Sequence, residues 1–146
     1  MKIVMLDVDG VLNHVNDFKG RKTGKVLNED MVKRFDQIII QTKAKVVLSS
    51  TWRKYKPYRN YLRQYVKFID VTPDFEYMGE RTGARGAVIQ FWLENYKHVT
   101  NYVIIDDDWD FLEEQRPFVV LTEWLTGLQD CHVEKAIEIL NKDVVK

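Results

Sequence analysis

The sequence holds a single cysteine, Cys131, among 146 residues. One thiol cannot close an internal disulfide, and a metal site built on four thiolates is equally excluded. Long apolar runs are missing too: nothing approaches the roughly 20 residues that a membrane span requires. The apolar run Ile3–Leu6 meets a carboxylate at Asp7, so it is not expected to act as a signal peptide. These absences lead to the expectation of a reducing, cytoplasmic setting with no membrane. Repeats, low-complexity tracts and linkers are also lacking. Residues 1–146 are therefore expected to form one domain, and the 45% of hydrophobic residues supply a core for it.

Net charge is zero, with 22 Lys and Arg against 22 Asp and Glu. The balance hides an asymmetry. Residues 1–68 carry 15 basic against 6 acidic side chains, whereas residues 69–146 carry 7 against 16. One reading is a polar molecule with a basic side. The other is that folding mixes the two halves and erases the field.

What is present is an alternation of two patterns. Lys2–Leu6, Ala44–Leu48, Tyr102–Ile105 and Phe118–Leu121 are short apolar runs that read as buried strands, and Val66–Val71 is a further candidate. Asn28, followed by Glu29 and Asp30, reads as a helix N-cap with an acidic first turn. Met31, Val32, Phe35, Ile38 and Ile39 then recur at helical spacing. Further helices are expected over about 57–66, with Pro57 in the first turn, over Ala87–Tyr96, and around Val133, Ala136, Ile137 and Leu140. Residues 10–27 and 72–84 read as loops, the first with room for a small hairpin. Strands alternating with helices predict an α/β fold, a three-layer Rossmann-like parallel sheet with helices on both faces.

In such sheets ligands bind beyond the carboxyl ends of the strands. Three strand ends here carry reactive side chains: Asp7 and Asp9, then Ser49 and Ser50, then Asp106, Asp107 and Asp108. Gly10 permits a turn that lets Asp7 and Asp9 converge. Crowded carboxylates repel one another unless a cation joins them. Oxygen ligands drawn from loops suit Mg²⁺, which is commonly completed by water and by substrate phosphate. Each piece alone has an ordinary reading as a cap, a loop or a hydrated turn. All three at strand ends favour a metal-dependent phosphate site.

These residues resemble the motifs of the haloacid dehalogenase (HAD) superfamily, the aspartate-nucleophile phosphohydrolases. Asp7-Val8-Asp9-Gly10-Val11-Leu12 is similar to the first motif, and Val47-Leu48-Ser49 to the second. Arg85 stands where the third motif places a Lys or Arg, and Ile104-Ile105-Asp106-Asp107 resembles the fourth. The resemblance spans residues 2 to 121. DVDGVLN, LSSTWR and IIDDD together look closest to small phosphatase domains of nucleic-acid repair proteins. The family usually has Lys in the third motif; here Arg81 and Arg85 compete, and Arg85 is preferred because a helix start directs it toward the strand ends.

The resemblance implies that Asp7 is the nucleophile, forming an aspartyl phosphate, and that Asp9 is the general acid and base. It implies Ser49 and Arg85 on the phosphoryl oxygens. It implies Mg²⁺ held by Asp7, the Asp9 backbone carbonyl and Asp107. Asp106 would orient a metal-bound water or pair with Arg85; which of Asp106 and Asp107 touches the metal stays open. Asp108 and Asp110 are assigned to the following turn.

Many relatives in the superfamily carry a substrate-selecting cap, after the first motif or between the second and third. Those gaps are roughly 15 and 35 residues here, and the second must also hold a helix and a strand, so a capless, open site is expected. The segment Arg53–Lys67 holds Arg53, Lys54, Lys56, Arg59, Arg63 and Lys67, no acid, and Tyr55, Tyr58, Tyr61 and Tyr65 between them. On a helix, Arg59, Arg63 and Lys67 would share a face. Cations interleaved with aromatics suit a nucleic-acid strand; tyrosines facing the core behind a solvated basic face are the alternative. Ser50, Arg53, Arg59 and Arg63 are the substrate-binding candidates, and the loop with Lys19, Arg21, Lys22 and Lys25 could extend the patch. Trp52 and Trp109 could stack on a base or pack the loops. The expected activity is Mg²⁺-dependent hydrolysis of a nucleotide or polynucleotide-end phosphate. The alternatives are a small-metabolite phosphatase, a receiver-like phospho-acceptor module, or a non-catalytic nucleic-acid-binding domain.

Overall fold

The computed structural model describes residues 1–22, 24–74, 84–96 and 98–143. Its centre is β1 (Lys2–Leu6), which is paired on both edges. On one side it pairs in parallel with β2 (Lys45–Leu48), and β2 with the two-residue β3 (Asp70–Val71). On the other it pairs with β4 (Asn101–Asp106), and β4 with β5 (Val119–Leu121). The order is β3-β2-β1-β4-β5, with all pairings parallel. Burial on both faces explains why β1, β2 and β4 read as continuous apolar runs rather than alternating ones.

The two faces are covered unequally. Val4, Leu6, Val46, Leu48, Val103 and Ile105 pack beneath α1 (Glu29–Thr42), α2 (Lys56–Arg63) and α4 (Asp130–Leu140), with Phe35, Leu62 and Ala136 among the contacts. Ile3, Met5, Val47 and Ile104 pack beneath α3 (Ala84–Glu94), through Ile89 and Trp92. Completely burying a side chain such as Phe35 contributes about 1.5–3 kcal/mol. Asn28 caps α1 as its position predicts, accepting from the Asp30 and Met31 amides, and Lys43 ends it in the left-handed region.

The predicted fold class is the observed one, and among the described residues no folded cap interrupts it. No described helix is long and apolar enough to cross a membrane. Three local expectations are corrected. The second helix ends at Arg63 instead of 66, so Lys67 lies beyond it. The Val66 amide still bonds to the Leu62 carbonyl, and both residues are buried, so the apolar spacing of a helix outlasts the helix. The third strand is Asp70–Val71 only. Residues 15–18 form a 3₁₀ turn in place of a hairpin.

Candidate active site

Parallel register carries one residue past each central strand into line. Asp7 donates its amide to the Ile105 carbonyl (3.0 Å), and Ser49 to the Leu6 carbonyl (2.9 Å). Asp106 closes β4, opposite Asp7 in the same ladder. All three are buried, at the carboxyl end of the sheet. Strand alternation turns them to the α3 face, and Arg85, in the first turn of α3, reaches them there. One guanidinium nitrogen lies 2.8 Å from Asp106 Oδ2 and 3.2 Å from Asp7 Oδ1.

Asp107 joins this group. Asp7, Asp106 and Asp107 each offer a carboxylate oxygen within 4.8 Å of the others. Burial, followed by the charge of Asp7, pushes Asp107 up to about 6 and Asp106 up to about 9. Burial by itself would lower the pKa of Arg85, but Asp7 and Asp106 outweigh it and drive the value up, so Arg85 stays cationic. If all three are ionised, the carboxylates outnumber the one guanidinium and leave an excess of negative charge. An all-oxygen donor set of this kind fits Mg²⁺. Gly10 is required for the approach: its φ is +82°, and a Cβ there would collide with the Asp107 carboxylate.

The other acid of the first motif stands apart from the cluster. Asp9 Oδ1 accepts from Asn13 Nδ2 (3.0 Å) and Asp9 Oδ2 from the Trp52 indole (3.2 Å). Asn13 in turn accepts from the Gly10 amide and donates to the Val26 carbonyl. Burial raises the Asp9 pKa; the hydrogen bonds from Asn13 and Trp52 act against it, Asp7 adds to it, and Arg85 opposes it. The net direction is upward, toward a carboxyl that holds a proton more readily than a free aspartate. Trp52 therefore packs: it is 2% exposed and meets the ring of Tyr58 edge-on at 5.0 Å. Trp109 is 45% exposed beside the fourth strand end, with Arg116 near its ring.

Arg85 is held by a part of the chain that its sequence neighbourhood does not show. Gly86 donates to the Asp110 carbonyl (3.1 Å), and the buried Gln115 side chain donates to the Gly86 carbonyl (2.9 Å) while accepting from the Leu112 amide. A side chain at Gly86 would strike the Leu112 amide and Gln115. Asp108 belongs to the turn, its amide bonded to Asp106 Oδ1. Arg81 lies outside the described residues.

The basic segment is placed next to the site and is heavily engaged. Ser50 caps the 3₁₀ turn Thr51–Lys54, accepting from the Trp52 amide. Arg53 donates to the carbonyls of Ser50 (3.0 Å), Thr72 (3.0 Å) and Pro73 (3.2 Å). Arg59 donates to the Arg53 carbonyl, and Arg63 lies over the Phe68 ring. Together Arg53, Arg59, Arg63, Phe68 and Asp70 line a cleft of about 360 Å³ between α2 and β3. Tyr58 and Tyr61 pack on the core, whereas Tyr55 and Tyr65 are exposed. Nothing in the sequence marks Asn13 or Gln115 or assigns Trp52 to Asp9; a short loop and a DxD spacing carry no sign of which side chain folds back onto them.

The family described as the HAD domain in Swiss Army Knife RNA repair proteins matches residues 3–133. Comparisons with curated proteins and with solved structures gave no match.

Proposed function

This chain belongs to that family of HAD domains, and from that premise we propose that it is a Mg²⁺-dependent phosphomonoester hydrolase acting on the phosphate end of a nucleotide or polynucleotide. The observation that carries the reading is the convergence of Asp7, Asp106, Asp107 and Arg85 on one strand-end row. Asp7, the Asp9 backbone carbonyl and Asp107 would hold Mg²⁺, which supplies charge neutralisation for the phosphoryl group.

The residues themselves perform two displacements. Asp7 Oδ attacks phosphorus, and the ester P–O bond breaks. The departing alkoxide takes the proton of Asp9, leaving an aspartyl phosphate and a free alcohol. A water then attacks the same phosphorus, its proton returns to Asp9, and Asp7 is released with inorganic phosphate. The upward shift at Asp9 suits the first of these roles, and its bonds to Asn13 and Trp52 fix the carboxyl in one place. Ser49 Oγ, buried with no partner among the described residues, and Arg85 are suited to the phosphoryl oxygens. The polynucleotide end is supported by the RNA-repair description of the family and by the arginine-lined cleft between α2 and β3.

Phosphate release from 3′- and 5′-phosphorylated oligonucleotides, mononucleotides and sugar phosphates, with Mg²⁺ and with EDTA, tests this reading. Turnover is expected with Mg²⁺ only, highest on an oligonucleotide end. Asp7→Asn should lower it on the order of 10⁴-fold or more. Near-wild-type turnover by Asp7→Asn would refute the mechanism, and preference for a sugar phosphate would move the substrate to small metabolites.

A further inference from the structure

Ser49 Oγ has a counterpart one strand further out. Thr72 Oγ1 is also buried and has no hydrogen-bond partner among the described residues, and the residue is 2% exposed. The ladder that aligns Asp7 and Ser49 extends to it: the Thr72 amide donates to the Leu48 carbonyl at 3.0 Å. Leu48 pairs with Val71, so Thr72 lies beside Ser49 in register. Val71 packs against the core on the α1, α2 and α4 face, and Asp70 accepts from Trp92 of α3. Alternation therefore sends Thr72 to the α3 face, where Arg85 reaches Asp7 and Asp106. Thr72, Ser49, Asp7 and Asp106 form one polar row across four strand ends.

The row has two unlike halves. Asp7 and Asp106 share Arg85. Ser49 and Thr72 have hydroxyls with unused capacity, and Arg53 fixes the backbone beneath them through the Ser50, Thr72 and Pro73 carbonyls. Native structures rarely leave such groups unpaired, so each one calls for an explanation. Strands about 4.8 Å apart place Thr72 roughly 10 Å from Asp7, beyond the transferred phosphoryl group and within reach of what is attached to it.

We propose that Thr72 is a substrate-binding residue whose hydroxyl bonds an oxygen of the sugar adjoining the phosphate. The proposal rests on the phosphatase reading and assigns it a subsite toward β3. A neutral hydroxyl, donor and acceptor together, matches a sugar hydroxyl.

The test compares wild type with Thr72→Val, which keeps the shape and removes the hydroxyl, and with Thr72→Ser, which keeps the hydroxyl. Substrates are a 3′-phosphorylated dinucleotide and p-nitrophenyl phosphate, which has no sugar. Thr72→Val should melt at a higher temperature, since an unpaired buried hydroxyl is gone. Its KM for the dinucleotide should rise about tenfold relative to its KM for p-nitrophenyl phosphate, the loss of one hydrogen bond to a substrate group, and Thr72→Ser should restore the ratio. A lower melting temperature in Thr72→Val would reveal an internal partner and overturn the proposal, as would equal changes in both KM values. If the wild-type chain hydrolyses neither ester, the phosphatase reading fails separately. Calorimetric affinity for the dinucleotide then decides: a tenfold loss in Thr72→Val supports the subsite, and equal affinities overturn it.

Discussion

Arg85 and Arg53 lie at the same end of the sheet, each just inside a short helical segment, and are used in opposite ways. Arg85 faces carboxylates, 2.8 and 3.2 Å away. Arg53 faces the backbone carbonyls where β2 and β3 end. The first arrangement leaves a cation among buried carboxylates; the second uses a cation as a bracket. A positive charge near an active site is thus no guide to its task until its partners are known. The same contrast extends outward, to the acidic end of β4 on one side and the basic α2 on the other.

Removing Arg85 should break the comparison most severely. Arg85→Gln should lower kcat on the order of 10²–10³-fold on every phosphate ester, because a donor to the transferring group is lost. A loss confined to oligonucleotides would mean that Arg85 serves the rim. Charge reversal of Arg59 and Arg63 to Glu addresses the opposite side. It should raise KM for a 3′-phosphorylated oligonucleotide about tenfold or more, and flatten its dependence on salt. An unaltered salt dependence would make α2 a solvated face. Trp52→Phe removes the indole donor to Asp9 together with part of a buried ring, and should lower kcat about tenfold, as expected when a proton-transfer group is less well placed. Equal losses in Trp52→Phe and in Tyr58→Leu, which disturbs the ring contact but not the bond to Asp9, would point to packing instead. Arg53→Lys should have the smallest catalytic effect. An ammonium cannot fork between carbonyls, so about 1–3 kcal/mol of stability should go, read as a lower Tm. An unchanged Tm with weaker oligonucleotide binding would return Arg53 to the substrate side.

The sequence made some of this legible and hid the rest for physical reasons. Strands β1, β2 and β4 announce themselves because residues buried on both faces must be apolar. Asp7, Ser49 and Asp106 are legible because a reactive side chain directly after such a run stands at a strand end. Arg85 follows from its place at a helix start, but its restraint by Gln115 comes from the loop after β4, which contacts α3 only in the folded chain. Asn13, from the loop after β1, and Trp52, from the turn after β2, converge on Asp9, and Thr72 becomes Ser49's neighbour only through the β2–β3 register. The premature end of α2 was masked by Leu62 and Val66, whose burial continues a helical spacing through a turn. Pairing across strands leaves no local trace, and that is where these misses lie.

The central place of β1 also has a temporal consequence. Its partners come from residues 45–48 on one edge and 101–106 on the other. Contacts so distant along the chain form late, after a large loss of chain entropy. The arrival of β4 is also the event that brings Asp106 and Asp107 against Asp7. That pairing therefore cannot be completed without setting the carboxylates side by side.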